Sequence, residues 1–305
     1  MQIWQDIKWQ FKYGGPLISL ILINIAVFIF CGMLGLVDFI FKSAVYKNFI
    51  LFFSEYISVT GFLHHPWGIF TSLFLHAGLG HILYNMLFLY WFGSIVQEYL
   101  GKPKVLPIFF MGAWFSSILS FPFYYLINHF YPNFIPDNGI GASAGVMSIV
   151  WAAATLVPEN EISFLLLGRI KIKWIALAYV ILDLISIPNG NAGGHIAHLG
   201  GALFGFIYIK SLQNGTDLAR PFYAVTDFVN NLFSKKSPIK VAYKKEYAYT
   251  SANKQNTSNS TNNTSTKDQS KQERLDEILD KINRSSYDSL SKEEKEFLFK
   301  ISQED

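Results

Sequence analysis

The chain has 305 residues, of which 51% are hydrophobic and 17% aromatic but only 15% charged. A soluble domain carries about 25% charge, so this composition, with a mean hydropathy of +0.26, points to a bilayer and away from an ordinary soluble enzyme. A single cysteine excludes an internal disulfide framework, and 25 basic against 22 acidic residues is too balanced for a nucleic-acid binder.

A helix needs roughly 20 mostly apolar residues to cross about 30 Å of hydrocarbon. Six stretches qualify in chain order: Leu17 to Val37, Ile69 to Gln97, Val105 to Ile127, Gly139 to Val157, Ile172 to Ile187 and Ala192 to Ile209. The first follows the break at Gly14-Gly15-Pro16 and lacks a small-x-small cleavage site, so it is read as a span and not as a signal peptide. The fifth is short and contains Asp183. The expectation is an all-α polytopic membrane protein with six spans.

Loop charge tests the count. Lys8 and Lys12, Lys102 and Lys104, Arg169, Lys171 and Lys173, and Lys210 fall on one side, whereas loops 3–4 and 5–6 have no Lys or Arg. The positive-inside rule then places both termini in the cytoplasm. Loop 38–68 is the imperfect one, because Lys42 and Lys47 would face outward; its aromatic runs suit a segment lying along the membrane surface.

Beyond residue 212 the composition changes. Residues 1–212 hold ten Lys or Arg and eight Asp or Glu, and the last third holds the other fifteen and fourteen. The expected organisation is a membrane domain over 1–212 and a juxtamembrane segment over 213–249. A polar linker over 250–270 and a small cytoplasmic helical hairpin over 271–305 follow. In the second segment Phe222, Tyr223, Val225, Phe228, Val229 and Phe233 have amphipathic-helix spacing. The linker is almost entirely Ser, Thr, Asn, Gln and Lys, and cannot bury enough apolar surface to offset ordering. In the hairpin Leu290-Ser291 with Glu294 opens the second helix.

All seven histidines lie between residues 64 and 198. His76, His81 and Asn85 fall early in span 2, Ser143 opens span 4, and His195 and His198 open span 6, so these polar groups share one depth. Polar groups in spans pack against one another or face a wet cavity. Ser143 sits in Gly141-Ala142-Ser143-Ala144-Gly145, and Gly201 and Gly205 form a small stripe on span 6. Close approach of spans 4 and 6 follows, bringing Ser143 near His198 as a nucleophile requires of its base. His81 and Asn85 share a helix face and could donate to an oxyanion. The alternatives are a packing motif around Ser143 and a hydrogen-bonded core pair at His81 and Asn85. A metal centre fits poorly, for there is no His-Glu-x-x-His, no acid in span 2 and no cysteine cluster. No cofactor is expected.

Together these elements resemble the rhomboid intramembrane serine proteases, in their bacterial six-span form, over residues 17–210. His76-x4-His81-x3-Asn85 is similar to the family's His and Asn element, Gly141-Ala142-Ser143 to its Gly-x-Ser motif, and His198-Leu199-Gly200-Gly201 with Gly205 to its closing His-x-x-Gly helix. The resemblance implies a Ser143–His198 dyad without a buried aspartate. It also implies an oxyanion site of Asn85, His81 and the Ser143 N–H, with His76, His195, Gly141, Gly201 and Gly205 in support. Substrates would be transmembrane proteins, cut in or near their spans. The implied setting is a bacterial inner membrane, with contact to lipid and a possible cytoplasmic partner for the tail. Two departures stand out: Ala144 where the family often has Gly, and Trp67-Gly68 where many relatives have Trp-Arg. A non-catalytic membrane protein that binds or escorts clients is the alternative from a different class. A transporter is disfavoured because the two halves show no internal repeat.

Overall fold

The computed structural model describes residues 14–132, 134–164, 168–233, 274–282 and 289–301. Contacts divide the chain into two compact units, 1–237 and 238–305.

The first unit is mainly helical. Pro16 presets the first turn of α1 (Gly15–Phe41). A surface segment follows: α2 (Val45–Phe53), strand β1 (Glu55–Tyr56), α3 (Val59–His64) and the single turn α4 (Gly68–Thr71). None of α2 is buried, as suits aromatic residues at an interface. Then come α5 (Leu79–Leu100), α6 (Val105–Phe130), strand β2 (Asn138–Gly139) and α7 (Ser143–Leu156). An antiparallel hairpin, β3 (Glu161–Phe164) with β4 (Gly168–Lys171), joins α7 to α8 (Ile172–Ser186). The helices α9 (Ala192–Gln213) and α10 (Arg220–Phe233) complete the unit.

Among the described residues, five helical segments are long and apolar enough to cross a membrane: Gly15–Phe41, Leu79–Leu100, Lys102–Phe130, Ile172–Asn189 and Ala192–Gln213. The fourth expected span differs. It starts at Ser143, not at 139, and its 14 residues rise only about 21 Å. It occupies the middle of the bundle, packed on α5, α6, α8 and α9, and is mostly buried. By contrast α1 and α8 leave Ile29, Phe30, Leu36, Leu182 and Ile185 exposed, as lipid-facing helices do.

The second expected span is also interrupted. A 3-10 turn at Ser72–Phe74 ends in extended Leu75, and α5 begins only at Leu79, after Gly78. Glycine weakens helix continuity there. His76 therefore lies in the break and not on the span. The interruption positions the segment ahead of Ser143, because the carbonyl of Ser72 accepts the Gly141 N–H at 2.9 Å. Strand β1 adds to this by pairing antiparallel with β2, Glu55 opposite Gly139 and Tyr56 opposite Asn138. Asp137 fastens the same junction, accepting from the Ser58 N–H at 2.6 Å and the Ser58 hydroxyl at 2.7 Å.

Helix α10 carries the amphipathic pattern read at 213–249, and it packs on α6 within the first unit: Phe222 lies 6.2 Å from Phe110 and 6.3 Å from Trp114. Lys104 pairs with Asp217 just before it. Residues 250–270 lie outside the described residues. In the second unit, residues 274–282 are helical and α12 (Lys292–Ile301; 274–282 being α11) begins with a capping box. There the Ser291 N–H donates to Glu294 Oε2 at 2.7 Å and Ser291 Oγ accepts the Glu294 N–H at 3.3 Å.

Candidate active site

Ser143 is the first residue of α7, so its N–H and that of Ala144 have no acceptor within the helix; the first intrahelical-type bond runs from Val146 to Ala142. Ser143, His81, Gly141 and His198 line one cavity of about 380 Å³, together with Ser116, Ser117 and Ser120 of α6 and Asn191, Gly193 and Gly194 at the start of α9. Gly141 has φ +133, and a Cβ there would stand 3.1 Å from His81 Nε2 and 3.6 Å from Ser143 Oγ. Only glycine admits this backbone and the close approach of both side chains.

Helix α9 lies directly on α7. A Cβ on Gly201 would overlap the carbonyl of Ala144, and one on Gly205 the carbonyl of Ser148. Both glycines serve contact between backbones, and neither lines the cavity. Ser116 Oγ also donates to the Ala197 carbonyl at 2.6 Å, tying α6 to the His198 turn.

His81 Nδ1 accepts from the Ala77 N–H at 3.3 Å, which assigns the ring proton to Nε2, the atom near Gly141. His76 is buried and packs edge-on to His81, centroids 5.0 Å apart. Asn85 lies one turn below His81, 4% exposed, and its Nδ2 has no hydrogen-bond partner among the described residues. It sits behind the cavity wall and not in it.

The expected dyad included no aspartate, yet an acidic side chain, Asp183, lies within hydrogen-bond distance of His198. It is buried on α8, and its Oδ1 lies 2.9 Å from His198 Nδ1 and 2.7 Å from His195 Nδ1. The sequence held one signal for it: a lone acid in an apolar span. These three residues could also offer ligand atoms to a cation, all within 4.8 Å of one another. The two carboxylate–imidazole separations are, however, those of N–H···O bonds.

Sequence reasoning also missed Glu55. It lines the cavity and an adjoining apolar pocket against α3 and α6. Burial pushes its carboxyl up to about 7, against a hydrogen bond with Ser117. Outside the spans, Glu159 is held down at about 2 by hydrogen bonds with Lys171 and Lys173 beside the β3–β4 hairpin. The Trp67-Gly68 departure has a steric reason: a Cβ on Gly68 would overlap the Ser54 carbonyl. The segment is anchored instead by Trp67 Nε1 to the Phe52 carbonyl, 2.7 Å, and Thr71 Oγ1 to the Phe53 carbonyl, 2.8 Å.

The fold is thus an α-helical membrane bundle with a serine and two histidines around one internal cavity. The Rhomboid domain profile matches residues 63–214, and the chain belongs to the rhomboid family. Among curated proteins it is 32% identical over 141 residues to presenilin-associated rhomboid-like protein A, mitochondrial, of Danio rerio, covering 45% of this chain and 35% of that protein. It is 28% identical to RHOMBOID-like protein 12, mitochondrial, of Arabidopsis thaliana, covering 55% and 52%. With rhomboid-like protein 16, chloroplastic, of the same plant, identity is 26% over 68% and 65%. The chain thus spans between about a third and two thirds of these relatives' length. These relatives are named as mitochondrial and chloroplastic proteins, which overturns the expectation of a bacterial plasma membrane.

Proposed function

We propose that the chain is an intramembrane serine endopeptidase acting on transmembrane proteins, with the short α7 completing a six-helix bundle beside the five longer helices. The observation that carries this reading is the convergence of Ser143 and His198 on one cavity at the start of a short, buried helix. A helix of about 21 Å cannot reach both faces of a 30 Å hydrocarbon layer. Its N-terminus then lies below the surface, where a wet cavity can admit an unwound substrate strand.

In this reading Ser143 Oγ attacks the scissile carbonyl while His198 Nε2 takes its proton and returns it to the leaving amine. The developing oxyanion meets the Ser143 N–H and the Nε2–H of His81, with Asn85 Nδ2 as the deeper donor. The β1–β2 pair, whose Glu55, Asn138 and Gly139 line the cavity, offers an edge for an extended segment. The second unit, over 238–305, is proposed as an appendage with a protein partner of its own.

Ser143→Ala and His198→Ala should each abolish cleavage of a model transmembrane substrate in the folded full chain, and Ser143→Ala should abolish labelling by a fluorophosphonate. Cleavage at the same bond by purified Ser143→Ala would overturn the protease reading in favour of a client-binding protein.

A further inference from the structure

The carboxylate on α8 has no role in a dyad, yet it is the one acidic group in that helix and is only 3% exposed. A buried carboxylate among spans is costly and persists where partners hold it for a purpose. Resting on the protease reading, we propose that Asp183 is the positioning residue for His198, fixing it in the one tautomer that can accept the Ser143 proton, with His195 sharing the same carboxylate oxygen.

An ionised carboxylate only accepts, so both Nδ1 atoms, at 2.7 and 2.9 Å from Oδ1, must carry their protons. His198 then presents a bare Nε2. The two cavity histidines are thereby held in opposite tautomers: His81, accepting at Nδ1 from Ala77, is a donor at Nε2, and His198 is an acceptor. One suits an oxyanion and the other a serine hydroxyl. Among the described residues, Asp183 is the hydrogen-bond partner of His198 Nδ1.

The proton balance closes. As Ser143 Oγ bonds to the carbonyl carbon, its proton passes to His198 Nε2, and the imidazolium now carries both N–H groups beside an ionised Asp183. The proton then goes to the leaving nitrogen as the C–N bond breaks, and the tautomer is restored. His195 donates to the same oxygen from one turn earlier, which keeps Asp183 directed at α9. The other titratable groups around the carboxylate are Tyr179 on its own helix and Tyr84 on α5, with His81 beyond His198.

The test compares the parent full chain with Asp183→Asn, Asp183→Glu, His195→Ala and Ser143→Ala, in one detergent, on one transmembrane substrate. A carboxamide can donate to Nδ1 and so select the wrong tautomer. Asp183→Asn should lower kcat by roughly 10²–10⁴, leave KM within about threefold, and move the acid limb of the kcat–pH profile to lower pH, since the imidazolium loses its anion. Asp183→Glu should restore part of the rate, and His195→Ala should lower the rate less than Asp183→Asn does. If Ser143→Ala is inactive while folded Asp183→Asn retains the parent's kcat and pH profile, this inference is overturned and the protease reading stands. A fall in melting temperature with an unmoved acid limb would likewise make Asp183 merely structural and overturn it. Unaltered cleavage by Ser143→Ala would remove both.

Discussion

At the scale of single residues, chemistry and packing pull against each other at Asn85. A buried amide without a partner costs about 1–3 kcal/mol, so the fold carries an unmet donor at Nδ2 that a transition-state charge would fill. Asn85→Ala should therefore lower kcat by about 10–100-fold, less than a soluble protease loses with one oxyanion donor, because His81 and the Ser143 N–H share the charge. The melting temperature should hold or rise. A large fall in melting temperature with kcat unchanged would reassign Asn85 to packing. Glu55 makes a second prediction. Its carboxyl is raised from 4.5 to about 7, so the neutral form fits the fold. Its stabilising contribution is complete below about pH 4.5 and is lost as pH rises through about 7. Glu55→Gln mimics the neutral form and should flatten the decline of melting temperature between those values; parallel profiles for parent and variant would refute it.

Elements are placed by what glycine and chain breaks permit. The α7–α9 contact depends on Gly201 and Gly205, whose missing side chains let two backbones meet. Gly201→Ala must separate the helices, costing roughly 1–3 kcal/mol as overpacking does, and it should lower melting temperature and cleavage together. Gly35→Ala, on α1 away from the cavity and where a Cβ meets open space, is the control and should do neither. The break between Ser72 and Leu79 works in the opposite sense. By ending one helix early it frees a carbonyl for Gly141 and lets β1 and β2 pair, so the backbone before Ser143 is held from two sides.

For the whole molecule, all the candidate site residues fall in the unit over 1–237, and the tail forms a unit of its own. Lys281 with Glu294, and Arg274 over Phe297, hold the described part of that tail together. Removing 238–305 should leave cleavage of a model substrate within about twofold, as expected for an independent unit. A tenfold or larger loss in the truncated protein, shown folded, would make the tail part of the catalytic unit.

By itself the sequence determined the helical membrane class and the rhomboid resemblance, and it put forward Ser143, His198, His81 and Asn85 as candidates, the first three of which line one cavity. Hydropathy, loop charge and motif spacing are local quantities, and they survive without coordinates. Tertiary structure alone decided that the fourth helix is a short central one and that His76 lies in a break. Apolar runs do not distinguish a span from a buried turn and strand, because both bury the same side chains. It alone also decided that Asp183 meets His198. The two are on different helices, and a contact made through the fold leaves no periodic trace in the chain. Even the Trp67-Gly68 departure is a question of space, because the Ser54 carbonyl stands where a side chain would have to be.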